Sequence, residues 1–197
     1  MIAFLKGKLV HREPTQVIID VNGVGYQLHI SLQTFSEIKE QENVMLHTHL
    51  TIREDAHLLF GFSSDSEKKL FQQLISVNGV GPNTAIVMLS YMNSGELKSA
   101  IVREDAAALQ SIKGIGGKTA LRVIIELKDK LKKESWDETQ PSIYSGPHNT
   151  LRKEALSALL TLGLPKAAAE KSIDTALKKS GNTITLEDLV KQALKNA

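Results

Sequence analysis

The sequence contains no cysteine, five prolines in 197 residues, one tryptophan, and no apolar run of membrane-spanning length. Without thiols it can form no disulfide, iron–sulfur cluster or thiolate zinc site. Its six histidines follow no HExxH-type spacing, and the nearest pair, His47 and His49, stands two apart in a strand-like stretch where both share one sheet face. Neither a metal nor a cofactor is expected. The opening MIAFLKGKLV carries charge too early for a signal peptide, so the expected setting is the cytoplasm, away from membranes.

What is present is ordinary in bulk and uneven in placement. At 42% hydrophobic and 23% charged, the chain has the composition of a soluble globular protein. The formal net charge is +2, but residues 1–63 hold 5 basic and 7 acidic side chains while residues 64–134 hold 11 and 8. A mildly acidic start joined to a basic middle points to a polyanion touching the middle.

Period and turn residues divide the chain into four parts. Residues 1–63 carry short strand-like runs, FLKGKLV, TQVIIDV, VGYQLHI, VMLHTHL and AHLLFGF, with one amphipathic helix over 33–41. Five or six strands and one helix in that length predict a small closed barrel of OB type. From Ser66 the period becomes helical: Leu70, Leu74 and Val77 share one side, with charges opposite, and residues 64–134 form an all-α domain. Residues 135–148, SWDETQPSIYSGPH, show no periodicity and read as a flexible linker. Residues 149–197 hold three short helical patterns broken at Gly163-Leu164-Pro165 and Ser180-Gly181-Asn182, a three-helix module suited to docking rather than catalysis.

An internal repeat carries the functional reading. Shifted by 35 residues, LISVNGVGPNTAIVML (74–89) falls on LQSIKGIGGKTALRVI (109–124). Gly79 and Gly81 land on Gly114 and Gly116, and Thr84-Ala85 lands on Thr119-Ala120. A P-loop does not fit, because the glycine required five residues before Gly117 is Ile112 and the preceding element is helical. A dinucleotide fingerprint fails as well, since Thr119 takes the third glycine position and no βαβ unit surrounds it. A glycine pair between two helices does fit phosphate binding by the main chain. It makes a tight turn and points N–H groups outward at the next helix N-terminus, where the helix dipole favours an anion. Lys118 adds a charge, and Arg122, one turn further, lies on the same helix face within reach of a neighbouring phosphate. Such contacts position a nucleic acid without reading its bases.

These G-(V/I)-G turns resemble the helix-hairpin-helix motif of DNA-binding proteins. The whole chain, through VNGVGYQLHI, TIREDAHLLFGF, NGVGPNTAIVML, GIGGKTALRVIIELKDKL and ALLTLGL, resembles the RuvA family of bacterial Holliday-junction-binding proteins. The resemblance implies a homotetramer that holds a four-way junction open in a square plane during DNA recombination and repair. It implies recruitment of a hexameric RuvB ATPase as the motor, with no catalysis by this chain. A RuvC resolvase as a further partner, and an octamer of two stacked tetramers as an alternative assembly, belong to the same expectation. The implied DNA-binding residues are Gly79, Gly81, Asn83, Gly114, Gly116, Lys118, Thr119 and Arg122. The sequence departs from the family where a lysine usually follows GVGP, here Asn83, and at Gly117, which replaces a frequent lysine.

On its own, the Glu54-Asp55 pair reads as a solvated hairpin tip. The resemblance makes it an acidic pin at the tetramer centre, repelling phosphates by roughly 1 kcal/mol per close pair in water. In the C-terminal module, Leu159, Leu162, Leu164 and Leu194 fall where the family contacts its motor. Two other readings stay open. Base-excision glycosylase–lyases carry a similar GxGxKTA hairpin, in which Lys118 would be a Schiff-base nucleophile, although KESWDETQ lacks their aspartate segment. The other is a DNA-binding adaptor with no preference for junctions.

Overall fold

The computed structural model describes residues 1–139, 147–180 and 184–195. Five strands, β1 (Phe4–Glu13), β2 (Gln16–Val21), β3 (Val24–Ile30), β4 (Asn43–Ile52) and β5 (His57–Phe62), close a barrel in the order β1-β2-β3-β5-β4. All pairs are antiparallel except β3 with β5, which pair in parallel at His29–Phe60 and Ile30–Gly61. The β2–β3 hairpin turns on Asn22-Gly23, both at positive φ (53° and 87°), as a two-residue primed turn demands. Alternation then buries Val17, Ile19, Leu28, Ile30 and Leu46 inside the barrel, and Ile38 from α1 (Leu32–Ile38) packs into the same core. The OB-type expectation holds, and the short helix begins at Leu32 and ends at Ile38 because Lys39 is its C-cap.

Strand β5 is buried on both faces. Leu59 packs into the barrel, while Phe60 and Phe62 meet Phe71 of α2 (Asp65–Ile75) at ring-centroid distances of 5.1 and 4.9 Å. Both phenylalanines therefore belong to the core of the helical region, and Met1–Thr139 form one compact unit rather than two separable bodies.

A polar joint lies beside this apolar one. Glu67 in the first turn of α2 is only 4% exposed, although helical patterning places it on the charged face. Its carboxylate accepts from the Ser31 hydroxyl at 2.5 Å and the Thr34 hydroxyl at 2.6 Å. Ser31 also accepts from the Thr34 amide, and the Thr34 hydroxyl accepts from the Ser63 amide. Each hydroxyl thus donates and accepts, and the carboxylate sits at the N-termini of both α1 and α2, where helix dipoles favour negative charge. Replacing Glu67 with alanine strands both hydroxyls, and chemical denaturation is expected to register a loss of about 2–3 kcal/mol.

The helical region continues through α3 (Pro82–Tyr91), α4 (Ser94–Val102), α5 (Ala106–Gln110) and α6 (Gly117–Thr139). Asn93 and Glu96 close a capping box on α4, and Asp105 caps α5. Lys128 of α6 pairs with Glu104 after α4; the hydrogen bond and charge of Lys128 hold the Glu104 carboxyl below the usual carboxylate range. Helix α6 passes the expected boundary at 134, so residues 135–139 of the expected linker are helical, and residues 147–148 open the next helix. The intervening 140–146 lie outside the described residues.

The second unit holds α7 (Pro147–Thr161), α8 (Lys166–Ser180) and α9 (Leu186–Lys195). Its core is built largely of small side chains, Ala155, Ala169, Ala176 and Ala193, around Leu159, Ile173 and Leu189. The α7 end is set by Gly163 at φ 91°, with the Gly163 amide donating to Leu160 and the Leu164 amide to Leu159. That pair of bonds is a Schellman cap, which explains the Leu-Gly-Leu-Pro stretch. Among the described residues no helix is long and apolar enough to cross a membrane, and no His, Asp and Glu cluster is placed to hold a metal.

Candidate nucleic-acid interface

The two glycine turns are built alike. In the first, the Val77 amide donates to Leu74, the Val80 amide to Val77 at 3.0 Å, and the Ala85 amide to Gly81 at 3.0 Å. In the second, the bonds Ile112 to Leu109, Ile115 to Ile112 at 3.0 Å, and Ala120 to Gly116 at 3.0 Å repeat them 35 residues on. Gly79 and Gly114 occupy the same place in each turn, at φ 90° and 91°. A side chain there enters the left-handed region at a cost of roughly 1–2 kcal/mol. The apolar residue between the glycines anchors the turn: Val80 is 4% exposed and Ile115 5%.

The second glycine of each pair has no such internal reason. Gly81 caps α3 with φ −84° and ψ 169°, and Gly116, just before α6, is not at positive φ. A Cβ at Gly81 or Gly116 would meet nothing within 4 Å. Gly81 has no side chain to cap its helix, and Pro82 at the helix start has no N–H, so the amides that follow in the first turn of α3 have no acceptor from the cap side chain. Neither the backbone conformation nor the packing of the chain demands glycine at these two exposed positions.

Charge is unequal between the turns. Lys118 is exposed on the first turn of α6 and forms no hydrogen bond or ion pair among the described residues. Its counterpart Asn83 is exposed and neutral, and Thr119 is half-buried. Arg122 does not stay on its own hairpin. Its Nη1 donates to the Asn78 carbonyl at 3.0 Å and lies 3.8 Å from where a Gly79 Cβ would stand. The second hairpin's helix therefore brings a guanidinium to the first hairpin's turn. Lys113 is exposed beside Gly114, and the 35-residue shift that relates the two turns pairs it with Asn78.

Comparison with known proteins agrees with this architecture part by part. Residues 1–61 match the family described as RuvA N terminal domain, residues 71–129 the SAM-like helix-hairpin-helix tandem, and residues 150–197 the RuvA C-terminal domain. A protein of Cytophaga hutchinsonii named Holliday junction branch migration complex subunit RuvA is 54% identical over 197 residues, covering 99% of each chain. The chain belongs to the RuvA family. Relatives of the same name from Christiangramia forsetii (47% identical, 99% of each chain) and Pseudomonas putida strain W619 (40% identical, 99% of this chain and 98% of that one) are similarly full-length.

Within this RuvA-family chain, Glu54 and Asp55 stand exposed at the tip between β4 and β5, where the Arg53 amide donates to the Ala56 carbonyl at 2.8 Å. No ion pair to either carboxylate is present among the described residues, and the tip presents the two carboxylates beside the exposed Arg53. The four C-terminal leucines separate. Leu162 is 60% exposed and Leu194 41%, Leu164 packs half-buried against the module's core, and Leu159 is fully buried within it. Leu159 is thus a packing residue with no surface for a partner, because the helical period at 155 and 159 turns it inward. Leu160, 42% exposed, takes its place at the surface.

Proposed function

We propose that this chain binds four-way DNA junctions through their sugar–phosphate backbone and shape, without regard to sequence. It acts as the DNA-holding subunit of a branch-migration complex in recombination and repair. The observation that carries this reading is the pair of equivalent turns whose second glycines, Gly81 and Gly116, are required by nothing inside the chain. Four copies bring eight such turns to four arms, two per arm. The first-turn amides and Lys118 hold phosphates, Asn83 and Thr119 contribute neutral donors, and Glu54 and Asp55 keep strands apart at the crossover. The C-terminal module, with Leu162 and Leu194 at its surface, recruits a hexameric RuvB-type ATPase. ATP hydrolysis belongs to that partner.

The test is competition between a four-way junction and a linear duplex of the same base composition at one salt concentration. Strong preference for the junction is expected, unchanged when the arm sequences are permuted. Equal affinity for the two would leave only a general DNA adaptor. In the same assay the double variant Glu54→Gln, Asp55→Asn is expected to hold the junction at least as tightly, while branch migration driven by a RuvB-type motor is disturbed. Lost binding in that variant would remove the pin from the account.

A further inference from the structure

The repeat is symmetric in backbone and asymmetric in charge. Asn78, Asn83 and Val87 of the first hairpin stand where the second has Lys113, Lys118 and Arg122. The first hairpin therefore carries no cation of its own at these three positions. Yet the turn at Asn78 and Gly79 is where the Arg122 guanidinium sits, held by one hydrogen bond to the Asn78 carbonyl. Arg122 is exposed, and a guanidinium has five N–H donors in a planar fork. One donor orients the group, and the others remain to meet an anion. The bonding carbonyl is 44 residues away in sequence, so the placement is a tertiary feature rather than a local one.

We infer that Arg122 is a shared residue: carried by the second hairpin's helix, it supplies the positive charge of the first hairpin's phosphate site. This rests on the reading that the hairpins grip phosphates, and it goes further by assigning the cation to the turn it serves. The missing charge at Asn83 is offset from α6. The Asn78 carbonyl is the positioning group, fixing the fork beside the Asn78–Gly79 turn. One charge braces two turns, so the hairpins are coupled and cannot be varied independently.

The experiment is a four-protein cycle with junction affinity and its salt dependence as readouts: the parent, Arg122→Gln, Asn83→Lys, and the two together. Glutamine ends two bonds short of Nη1, so Arg122→Gln removes the charge and the bond to the Asn78 carbonyl together, and thermal unfolding of the variant reads the loss of the bond separately from the loss of the charge. Arg122→Gln is expected to weaken junction binding by at least about tenfold, since charge-assisted hydrogen bonds to phosphate are the strong ones. Its salt slope is expected to fall by about 0.9 for each first hairpin engaged. Asn83→Lys is expected to recover most of that loss in the Arg122→Gln background and to add little to the parent, because both cations serve one site and their effects are not additive. Two results would overturn the assignment. If Asn83→Lys gives the same gain in both backgrounds, Arg122 serves a different phosphate. If Arg122→Gln binds like the parent with an unchanged slope, the side chain is only a brace. Failure of the parent itself to prefer junctions would instead sink the underlying functional reading, an outcome visible before any variant is made.

Discussion

Aspartate at both Gly81 and Gly116 is expected to leave the fold as stable as the parent, or slightly more so, and to abolish tight junction binding. Both positions are exposed, off positive φ and clear of neighbours, so the side chain enters without strain. Aspartate is also a better N-cap than glycine by a few tenths of a kcal/mol. Its carboxylate accepts from the first amides of α3 or α6, the donors a phosphate needs, and places negative charge where the phosphate would sit. Losing two charge-assisted hydrogen bonds of about 1.5–3 kcal/mol each costs at least about a hundredfold in affinity. Thermal unfolding and junction titration of one preparation separate the two effects. Substitution at Gly79 or Gly114 cannot do so, because positive φ there strains the fold as well. Tight binding by a well-folded double aspartate variant would mean that nothing approaches these turns.

A steep salt dependence is the second large effect. In the proposed complex of four chains on one junction, Lys118 and Arg122 together neutralise about eight phosphates, and the log–log slope of affinity against salt is expected near −7. Between 50 and 200 mM salt, affinity is expected to fall by about 10⁴. Lys118→Gln removes half of these cations and is expected to bring the slope to roughly −3 to −4. The backbone amides survive that change, so a weaker, less salt-sensitive complex remains. A parent slope near zero would contradict phosphate anchoring.

What was legible in the sequence was local. Asn22-Gly23 announces its hairpin because few residues tolerate two positive φ values in succession, and the G-(V/I)-G pairs announce theirs for a related reason. The 35-residue repeat survived as six matching backbone bonds. What escaped depends on contacts between distant segments. Glu67 looks like one more charge on a solvated helix face, and only Ser31 and Thr34, more than thirty residues earlier, make its burial possible. The apolar run of β5 reads as a strand, but nothing local reveals that Phe60 and Phe62 leave the barrel to pack with Phe71. Arg122 reads as a cation of its own hairpin until the Asn78 carbonyl is seen beside it. Helix α6 outran its expected end because SWDET lacks an apolar period yet holds no breaker before Pro141. Leu159 and Leu162 differ by less than one helical turn, and only packing in the three-helix module tells core from surface.

Both large effects follow from one claim, that the twin turns hold the DNA by its phosphates and ignore its bases. Methylphosphonate substitution tests it most directly, by neutralising one phosphate at a time on four-way junctions of two unrelated sequences. Sharp losses of affinity are expected at a small set of phosphates, at two places on every arm, with the same positions relative to the crossover in both sequences. Binding that tolerates every neutral linkage, or a pattern that moves with the bases, would contradict it.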